Sequence, residues 1–443
     1  MVGGNSTLWR NKFFVKLWAG ETVSLVGSQV TTFALPLTAI GALHATPLQV
    51  GVLGAAGFAP FLFVTPFAGA WLDHRRRRPV MLVANLGRAA ALGLVPLLAL
   101  AGRLSLALLD AIAFLAGVLT VFFHLAYQSY LPAVVGRGQL VAGNGALAAS
   151  ESIADLSGPG VAGILVQLLG APIAIAADVL SFLVSALSLG WGWGDAPEPL
   201  PDRADGQRER QGSGPGLWRE IGEGFRVTFG NPYLRAFAGE AATYNLFWQV
   251  VDTVLALYAV RVLGLSPLAL GLVFATGSAG ALLGATLTGR VARRHGLGPT
   301  IVGAATLSAV APVLIPLAGD RTVTSVAILA SALFVRGIGV SGCNVHAVSI
   351  RQAITPDHLL GRMNGSYRLV TWGAIPLGAL LGGTLGQDIG PRATLLVGAL
   401  GLATAALWLA LSPVRRLRHI PASLSPDHVA AAAPDAPAAS YSA

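Results

Sequence analysis

Apolar residues in this chain do not alternate with polar ones. They run in long blocks, separated by short stretches rich in Arg, Gly and Pro. About 20 consecutive apolar residues suffice for a helix to cross the hydrocarbon core of a bilayer. A helix satisfies its own backbone groups there, which few other structures can do. The blocks predict twelve spans, six in each half. In the first half they cover 17–41, 48–72, 79–101, 105–129, 139–169 and 172–193. In the second they cover 237–261, 268–290, 298–318, 323–346, 359–386 and 391–412. The expected fold class is an all-α integral membrane protein, two six-helix pseudo-repeats around a central cavity.

The two halves are copies of one another in register. A shift of 220 residues (231 − 11) brings Asn11 onto Asn231 and Gln29 onto Gln249 without a gap. Thr46-Pro47-Leu48-Gln49-Val50-Gly51 meets Ser266-Pro267-Leu268-Ala269-Leu270-Gly271. Pro79, Pro96, Phe114, Gly117, Asn144 and Gly170 also find identical residues at the same offset. Chance matching of abundant Gly, Ala and Leu does not explain shared prolines and asparagines, which are rare in apolar segments. Two parallel apolar repeats are the architecture of a rocking secondary transporter.

The segment between the halves has a different composition. Residues 194–216 are rich in Pro, Gly, Asp, Glu and Arg and read as a solvated linker. From Leu217 to Phe229 apolar residues recur at helical spacing among Arg219, Glu220, Glu223 and Arg226. That pattern fits an amphipathic helix on the membrane surface, and equally a plain linker helix. The expected organisation is thus an N-terminal half (1–193), a cytoplasmic linker (194–231) with its helix at about 217–229, a C-terminal half (232–413), and an Ala-, Pro- and Ser-rich disordered cytoplasmic tail (414–443).

Charge then fixes the orientation. With the N-terminus inside, the cytoplasmic loops receive Arg10, Lys12, Lys16, Arg75 to Arg78, Arg137, Arg290, Arg293, Arg294, Arg351, Arg362 and the cluster at 415–418. The outer loops receive Arg103, Arg261, Arg321 and Arg392. The positive-inside rule places both termini in the cytoplasm of a cell inner membrane. The net charge of +9 is therefore an orientation signal and a match to anionic lipid, not a nucleic-acid footprint. With 54% hydrophobic and 11% charged residues, a soluble globular chain is excluded. The single cysteine, Cys343, leaves no disulfide framework or Cys-based metal site, and no cofactor is expected.

Two segments carry recognisable motifs. The loop after the second span reads Gly69-Ala70-Trp71-Leu72-Asp73-His74-Arg75-Arg76-Arg77-Arg78-Pro79. Gly69 permits close helix approach. Asp73 can pair with an Arg or a helix N-terminus of the other half and latch that side, and the basic run can hold the loop against anionic lipid. The fifth span contains Gly158-Pro159-Gly160 followed by Gly163. Pro159 should bend the helix and free a carbonyl, while the three glycines make a groove for a neighbour. Gly69, Asp73 and the arginines Arg75, Arg76 and Arg77 resemble the cytoplasmic loop signature of the major facilitator superfamily, although His74 stands where that signature usually has Gly. The equivalent loop, Gly289 to His295, keeps its basic residues but has Arg293 in place of the acid. The Gly158-Pro159-Gly160 run resembles the fifth-helix signature of antiporters in the same superfamily, which implies export. The runs Ser24 to Gln29, Pro47 to Gly51, Leu131 to Asn144 and Asp178 to Phe182 resemble its macrolide-efflux and enterobactin-exporter branch.

Charges inside the membrane are costly and are functional candidates by default. Lys12, Lys16 and Arg368 are near enough to the cytoplasmic face to snorkel. Arg88 has that option too, or a pairing with Asp73. Asp110 and Asp178 are expected to cap or pair locally. Glu21, Glu151, Asp155, Glu240, Asp252 and Arg336 have no such escape. Glu151 and Asp155 are four apart and share a helix face, so in a low-dielectric site they should not both carry charge. The superfamily resemblance implies that the first, fourth, seventh and tenth helices line the cavity. It puts Glu21, Gln29, His124, Gln249, Asp252 and Arg336 along the path, with an ion pair locking two helices as the structural alternative for each.

The expected function is secondary transport: a proton-coupled exporter of an amphiphilic small molecule, working by alternating access as a monomer in contact with membrane lipid. A phosphate-cradling loop, a Cys/His metal spacing and a Gly-x-Ser-x-Gly nucleophile are all missing, so no enzyme is expected. The rivals are a facilitator or importer of a polar solute and a non-transporting sensor or assembly protein.

Overall fold

A computed structural model describes residues 8–72, 75–190 and 217–418. In the N-terminal half the helices are α1 (Lys12–Leu37, continued by a π-turn Thr38–Ala42), α2 (Pro47–Phe63), α3 (Thr65–Leu72), α4 (Arg77–Leu100), α5 (Leu106–Val135), α6 (Leu140–Leu169) and α7 (Ala171–Gly190). Helix α8 (Leu217–Gly230) precedes the C-terminal half. That half comprises α9 (Pro232–Leu257, with a π-turn Tyr258–Val262), α10 (Pro267–His295), α11 (Leu297–Val310, continued by a 3-10 segment Ala311–Leu317), α12 (Val323–Ile354), α13 (Leu360–Asp388) and α14 (Pro391–Ala410).

Ten of the described helices are long and apolar enough to cross a membrane. The second predicted span is divided at Val64 into α2 and α3. The seventh, α9, carries Arg235, Glu240 and Asp252, which dilute its apolar character. The predicted ends of the fourth and tenth spans fall short. Helix α5 runs on to Val135 and stops at Gly136, whose φ of 70° is a left-handed conformation open to glycine. Helix α12 runs on to Ile354 and stops before Pro356, because the residue preceding a proline disfavours the helical region.

The repeat extends to atomic detail. Asn11 accepts hydrogen bonds from the Phe13 and Phe14 amides, and Asn231 from those of Tyr233 and Leu234. Thr46 caps α2 and Ser266 caps α10. The π-turns 38–42 and 258–262 also lie 220 residues apart. Within each half, a glycine brings backbones together. A Cβ on Gly117 would stand 2.6 Å from the Gly57 carbonyl, and one on Gly337 would stand 2.0 Å from that of Gly277.

The halves meet along two seams, α2 with α13 and α6 with α10. A Cβ on Gly51 would lie 2.5 Å from Ala379 O and 2.9 Å from the Cα of Gly383. One on Gly271 would lie 2.5 Å from Pro159 O and 2.9 Å from the Cα of Gly163. Positions 51 and 271, 379 and 159, and 383 and 163 are repeat equivalents, so the seams are two copies of one contact. Both start at the end of the bundle remote from α8. At that end Arg261 also crosses between the halves, donating to the carbonyls of Ile40 and Ala45 at 3.2 and 2.9 Å. At the opposite end, α3 packs on α2 and α5 of its own half.

Helix α8 docks on the start of α13. Gly224 lies against Arg362 and Ser366, and Glu223 pairs with Arg362 at 2.5 Å. Residues 191–216 and the tail beyond 418 lie outside the described residues.

Two substitutions test the glycine packing. Gly337→Ala should cost about 2 kcal/mol by overpacking, because its Cβ meets backbone that cannot step aside. Gly303→Ala, where a Cβ meets open space, should be neutral or stabilise by up to about 1 kcal/mol through helix propensity. Unfolding midpoints of the two variants in detergent decide the point.

Candidate functional site

The candidate residues fall into two groups on facing halves. In the N-terminal half, Gln29 of α1 donates to Asp155 Oδ1 of α6 at 2.5 Å. Gly158 allows this approach, since a Cβ there would overlap the Gln29 side chain at 2.5 Å. Glu151 lies one turn before Asp155 on the same helix and is within electrostatic reach of both Asp155 and Glu21. Both α6 carboxylates are solvent-exposed in the isolated bundle. His124 of α5 lies within electrostatic reach of Arg88 in its own half and of Arg368 in the other, which places it between the halves.

Proline chemistry joins this group to the second half. Pro159 has no N–H, so the carbonyl of Asp155 four residues earlier has no helical partner. Ser278 Oγ of α10 donates to that carbonyl at 2.6 Å. The side chain of Asp155 is therefore held by its own half and its backbone by the other. The carbonyl freed by Pro159 was expected from the sequence; its partner was not, because Ser278 lies on a distant helix. Of the three motif glycines, Gly158 packs on Gln29 and Gly163 on Gly271, whereas Gly160 faces open space. The expected three-glycine groove is thus a two-glycine contact. Among the described residues nothing lies within 4 Å of a Cβ built on Gly69, so they show no close helix approach there. Asp73 and His74 lie outside the described residues.

In the C-terminal half, Arg336 of α12 stacks on Trp248 at 3.2 Å from the ring centroid and lies 5.7 Å from that of Tyr244. Asp252, one turn beyond Trp248 on α9, is within electrostatic reach of Arg336. Gln249 fills the position against Gly378 that Gln29 fills against Gly158. The backbone geometry is repeated, but no carboxylate is: the equivalent of Asp155 is Ile375. Asn245 is occupied structurally, donating to Thr371 O at 2.9 Å.

The sequence reading missed two charged clusters. Arg88 does not snorkel, and its expected alternative, a pairing with Asp73, falls on a residue outside the described ones. It is 5% exposed and sits between the rings of Phe123 and Phe182, 4.4 and 4.2 Å from their centroids. Its guanidinium donates to Asn85, which in turn donates to Ser185 at 2.9 Å. Glu21 and Asp178 flank it within electrostatic reach. Asp178 is satisfied by Thr31 at 2.5 Å and Ser181 at 2.9 Å. Glu21 Oε2 is shielded and has no hydrogen-bond partner among the described residues, and the Tyr127 hydroxyl is in the same position. Arg88 is thus the counter-charge for the acid that is not otherwise satisfied. The second cluster joins Glu240 and Arg351, with the Arg351 guanidinium 3.7 Å from the Tyr367 ring centroid. Asn85, three residues before Arg88 and on the same face, was the available signal for the first cluster. Nothing local marks the second, whose members come from α9, α12 and α13.

The described residues contain no group of His, Cys, Asp and Glu that could hold a metal ion. Paired helical repeats, glycine seams between them and charged groups on the facing walls define a polytopic transporter. The Major Facilitator Superfamily profile matches residues 17–371 and 241–433, and the chain belongs to that family. Among characterised relatives, it is 24% identical over 281 residues to macrolide efflux protein A of Streptococcus pyogenes, covering 63% of this chain and 67% of that protein. It is 27% identical over 424 residues to the multidrug efflux pump Tap of Mycolicibacterium fortuitum, covering 94% and 99%. Among solved structures, the nucleoside transporter NupG superposes with a TM-score of 0.70 at 10% identity, covering 90% of this chain and 98% of that one. The chain is a transporter of small molecules and not an enzyme, as the sequence implied.

Removing Arg88 should leave Glu21 with no counter-charge in a low-dielectric site. Arg88→Met is expected to cost about 3 kcal/mol, within the range for breaking one side of a buried charge pair. Adding Glu21→Gln should recover part of that loss, whereas adding Asp110→Asn should not. A double-mutant cycle on unfolding midpoints measures the coupling.

Proposed function

We propose that this transporter is a proton-coupled exporter of an amphiphilic small molecule, and that Asp155 links protonation to rocking of the halves. The observation that carries this is the double attachment of Asp155: its carboxylate is held by Gln29 and its carbonyl by Ser278 across the seam. A change in charge at that carboxylate alters the hydrogen bond to α1 at the place where α6 grips α10. It therefore biases one arrangement of the halves over the other. Glu151, on the same face, raises the cost of charging both groups at once. Arg336 with Asp252 and Trp248 offers a cationic and aromatic wall opposite the acidic one.

Export of an amphiphile is supported by the Gly158-Pro159 signature and by relatives named for macrolide and multidrug efflux. In this reading the protein crosses the inner membrane twelve times as a monomer, with α9 and the divided α2–α3 counted as spans. Both termini lie in the cytoplasm, and the seams seal the outer side. Gly69, Asp73, Arg75, Arg76 and Arg77 form the latch that closes the cytoplasmic side in the opposite state. Protons, the substrate and lipid are its partners, and no cofactor takes part.

The test is pH-gradient-driven movement in proteoliposomes, with lipophilic cations, macrolides and catechol-type chelators as compounds. Wild type is expected to dissipate the gradient with at least one of them. Asp155→Asn should abolish the coupling, and Asp252→Asn should weaken binding more than coupling. If labelled compound equilibrates while no gradient is consumed, the protein is a facilitator and the proton reading is wrong. Ser278→Ala should alter turnover without altering the number of protons moved per substrate.

A further inference from the structure

At the end of the bundle remote from α8, helices α1 and α9 finish in the same turn. Leu43 N donates to Thr38 O at 3.2 Å and Ala45 N to Ala39 O at 2.8 Å. Leu263 N donates to Tyr258 O at 3.1 Å and Leu265 N to Ala259 O at 2.9 Å. Both turns pass through a left-handed residue, His44 at φ 53° and Gly264 at φ 64°. A helix end presents carbonyls that lack a partner within the helix, and the negative end of the helix dipole adds to their pull on a cation. Each turn is attended by an arginine. Gly264 lies beside Arg321 of its own half, where a Cβ would stand 2.9 Å from the Arg321 Nε. The turn after α1 receives Arg261 from the other half, whose Nη2 donates to both Ile40 O and Ala45 O.

The repeat duplicates neither arrangement. The equivalent of Arg321 is Ala101, and the equivalent of Arg261 is Gly41, which has no side chain with which to return the contact. The Arg261 bridge is therefore made once, although the seams beside it are made twice. Its surroundings are apolar. Deeper along α1, Phe33 meets Phe274 of α10 edge to face across the halves at 6.1 Å. Leu257, Ala259 and Leu270 share one buried cluster with Leu37 and Ile40. Arg261 itself is exposed. Water takes over its hydrogen bonds when the halves part, so the net worth of the contact is modest.

We propose that Arg261 is the latch of the outer side, a positioning residue for transport that favours the state closed there and is released to water in each cycle. The inference rests on the alternating-access part of the function proposed above, and not on its substrate or driving ion. Two features mark a latch and not a permanent strut. The acceptors lie at the tip of a helix of the other half, where bodies that rock about a central site separate most. The bond is also exposed, so breaking it exchanges protein partners for water and strands no charge. Arg88 is the opposite case: it is enclosed by two rings within one half, and no movement between the halves hydrates it. The apolar contacts below Arg261 supply cohesion, and the arginine adds a charge-assisted contact that fixes which carbonyls meet it.

The experiment is pulsed dipolar spectroscopy on the full chain in detergent, with spin labels at Ala107→Cys and Ala327→Cys. These are exposed, repeat-equivalent positions in the first turns of α5 and α12, and the native Cys343 is buried out of reach of the label. Short and long distances count molecules closed and open on the outer side, and thermal melting confirms that each variant folds. Arg261→Gln should raise the ratio of open to closed molecules about tenfold, the effect of losing hydrogen bonds from a charged group. Arg392→Gln removes an outer arginine whose 2.9 Å bond to Pro316 O stays within one half, and should leave the ratio unchanged. Gly271→Ala keeps the arginine but wedges the α6–α10 seam, where a Cβ meets Pro159 O at 2.5 Å, and should raise the ratio by sterics. The latch is overturned if Gly271→Ala raises the ratio and Arg261→Gln does not, or if Arg392→Gln raises it as much as Arg261→Gln. A single short distance in all three variants overturns rocking itself, and the latch with it.

Discussion

The contact on which the rest of this structure depends is backbone against backbone between the halves, at Gly51 with Gly383 and at Gly271 with Gly163. Inside a bilayer no hydrophobic force drives helices together, since lipid is as apolar as leucine. Association rests on close packing, and close packing needs residues without side chains. At both seams a Cβ would lie within about 3 Å of carbonyl or Cα atoms that cannot move aside. The same absence of side chains leaves no knob locked in a hole. A seam of this kind holds two bodies closely and still lets them tilt, which rocking transport requires.

Packing is duplicated in this protein and chemistry is not. The caps, the π-turns, the glycine contacts and the Gln29/Gln249 positions recur at the 220-residue offset. Glu21, Arg88, Asp155 and Asp178 have Ala241, Ser308, Ile375 and Gly398 as equivalents. Asp252, Arg336 and Arg351 have Thr32, Ala116 and Leu131. Each half thus retains the shape needed to fit the other while carrying a different set of charges. The N-terminal wall is acidic, with Glu151 and Asp155. The C-terminal wall is cationic and aromatic, with Arg336 and Trp248.

The fold was legible in the sequence because apolar blocks of bilayer length and a gapless repeat are long-range signals that survive local noise. The span that breaks at Val64, between Pro60 and Pro66, reads as one block because hydropathy does not register a turn. The site was legible only in part, since which side chains face each other is decided by helices distant in sequence. Gly158 and Gly163 found the partners expected of them, and Gly160, from the same motif, faces open space. Arg88 looked able to snorkel because its depth suggested it. In the folded chain Phe123 and Phe182, from two other helices, enclose it and remove that option. No window around residue 88 contains either ring.

The position of Pro159 shows how a single defect can give two equivalent seams different duties. At the α2–α13 seam the residue equivalent to Pro159 is Ala379, which keeps its N–H; the proline inside α13 stands three residues earlier, at Pro376. At the α6–α10 seam the proline frees one carbonyl, and an unsatisfied carbonyl in an apolar site is costly enough to need a partner. Ser278 supplies it from the other half. Its equivalent, Phe58, has no hydroxyl to offer. The bond across this seam is therefore not repeated at the other, and it ends on a residue that can carry a charge. When the halves separate there, the carbonyl of Asp155 loses its donor, while its carboxylate meets solvent already with the seam closed. Backbone and side chain of this one residue are thereby tied to different halves, to Ser278 on one side and to Gln29 on the other.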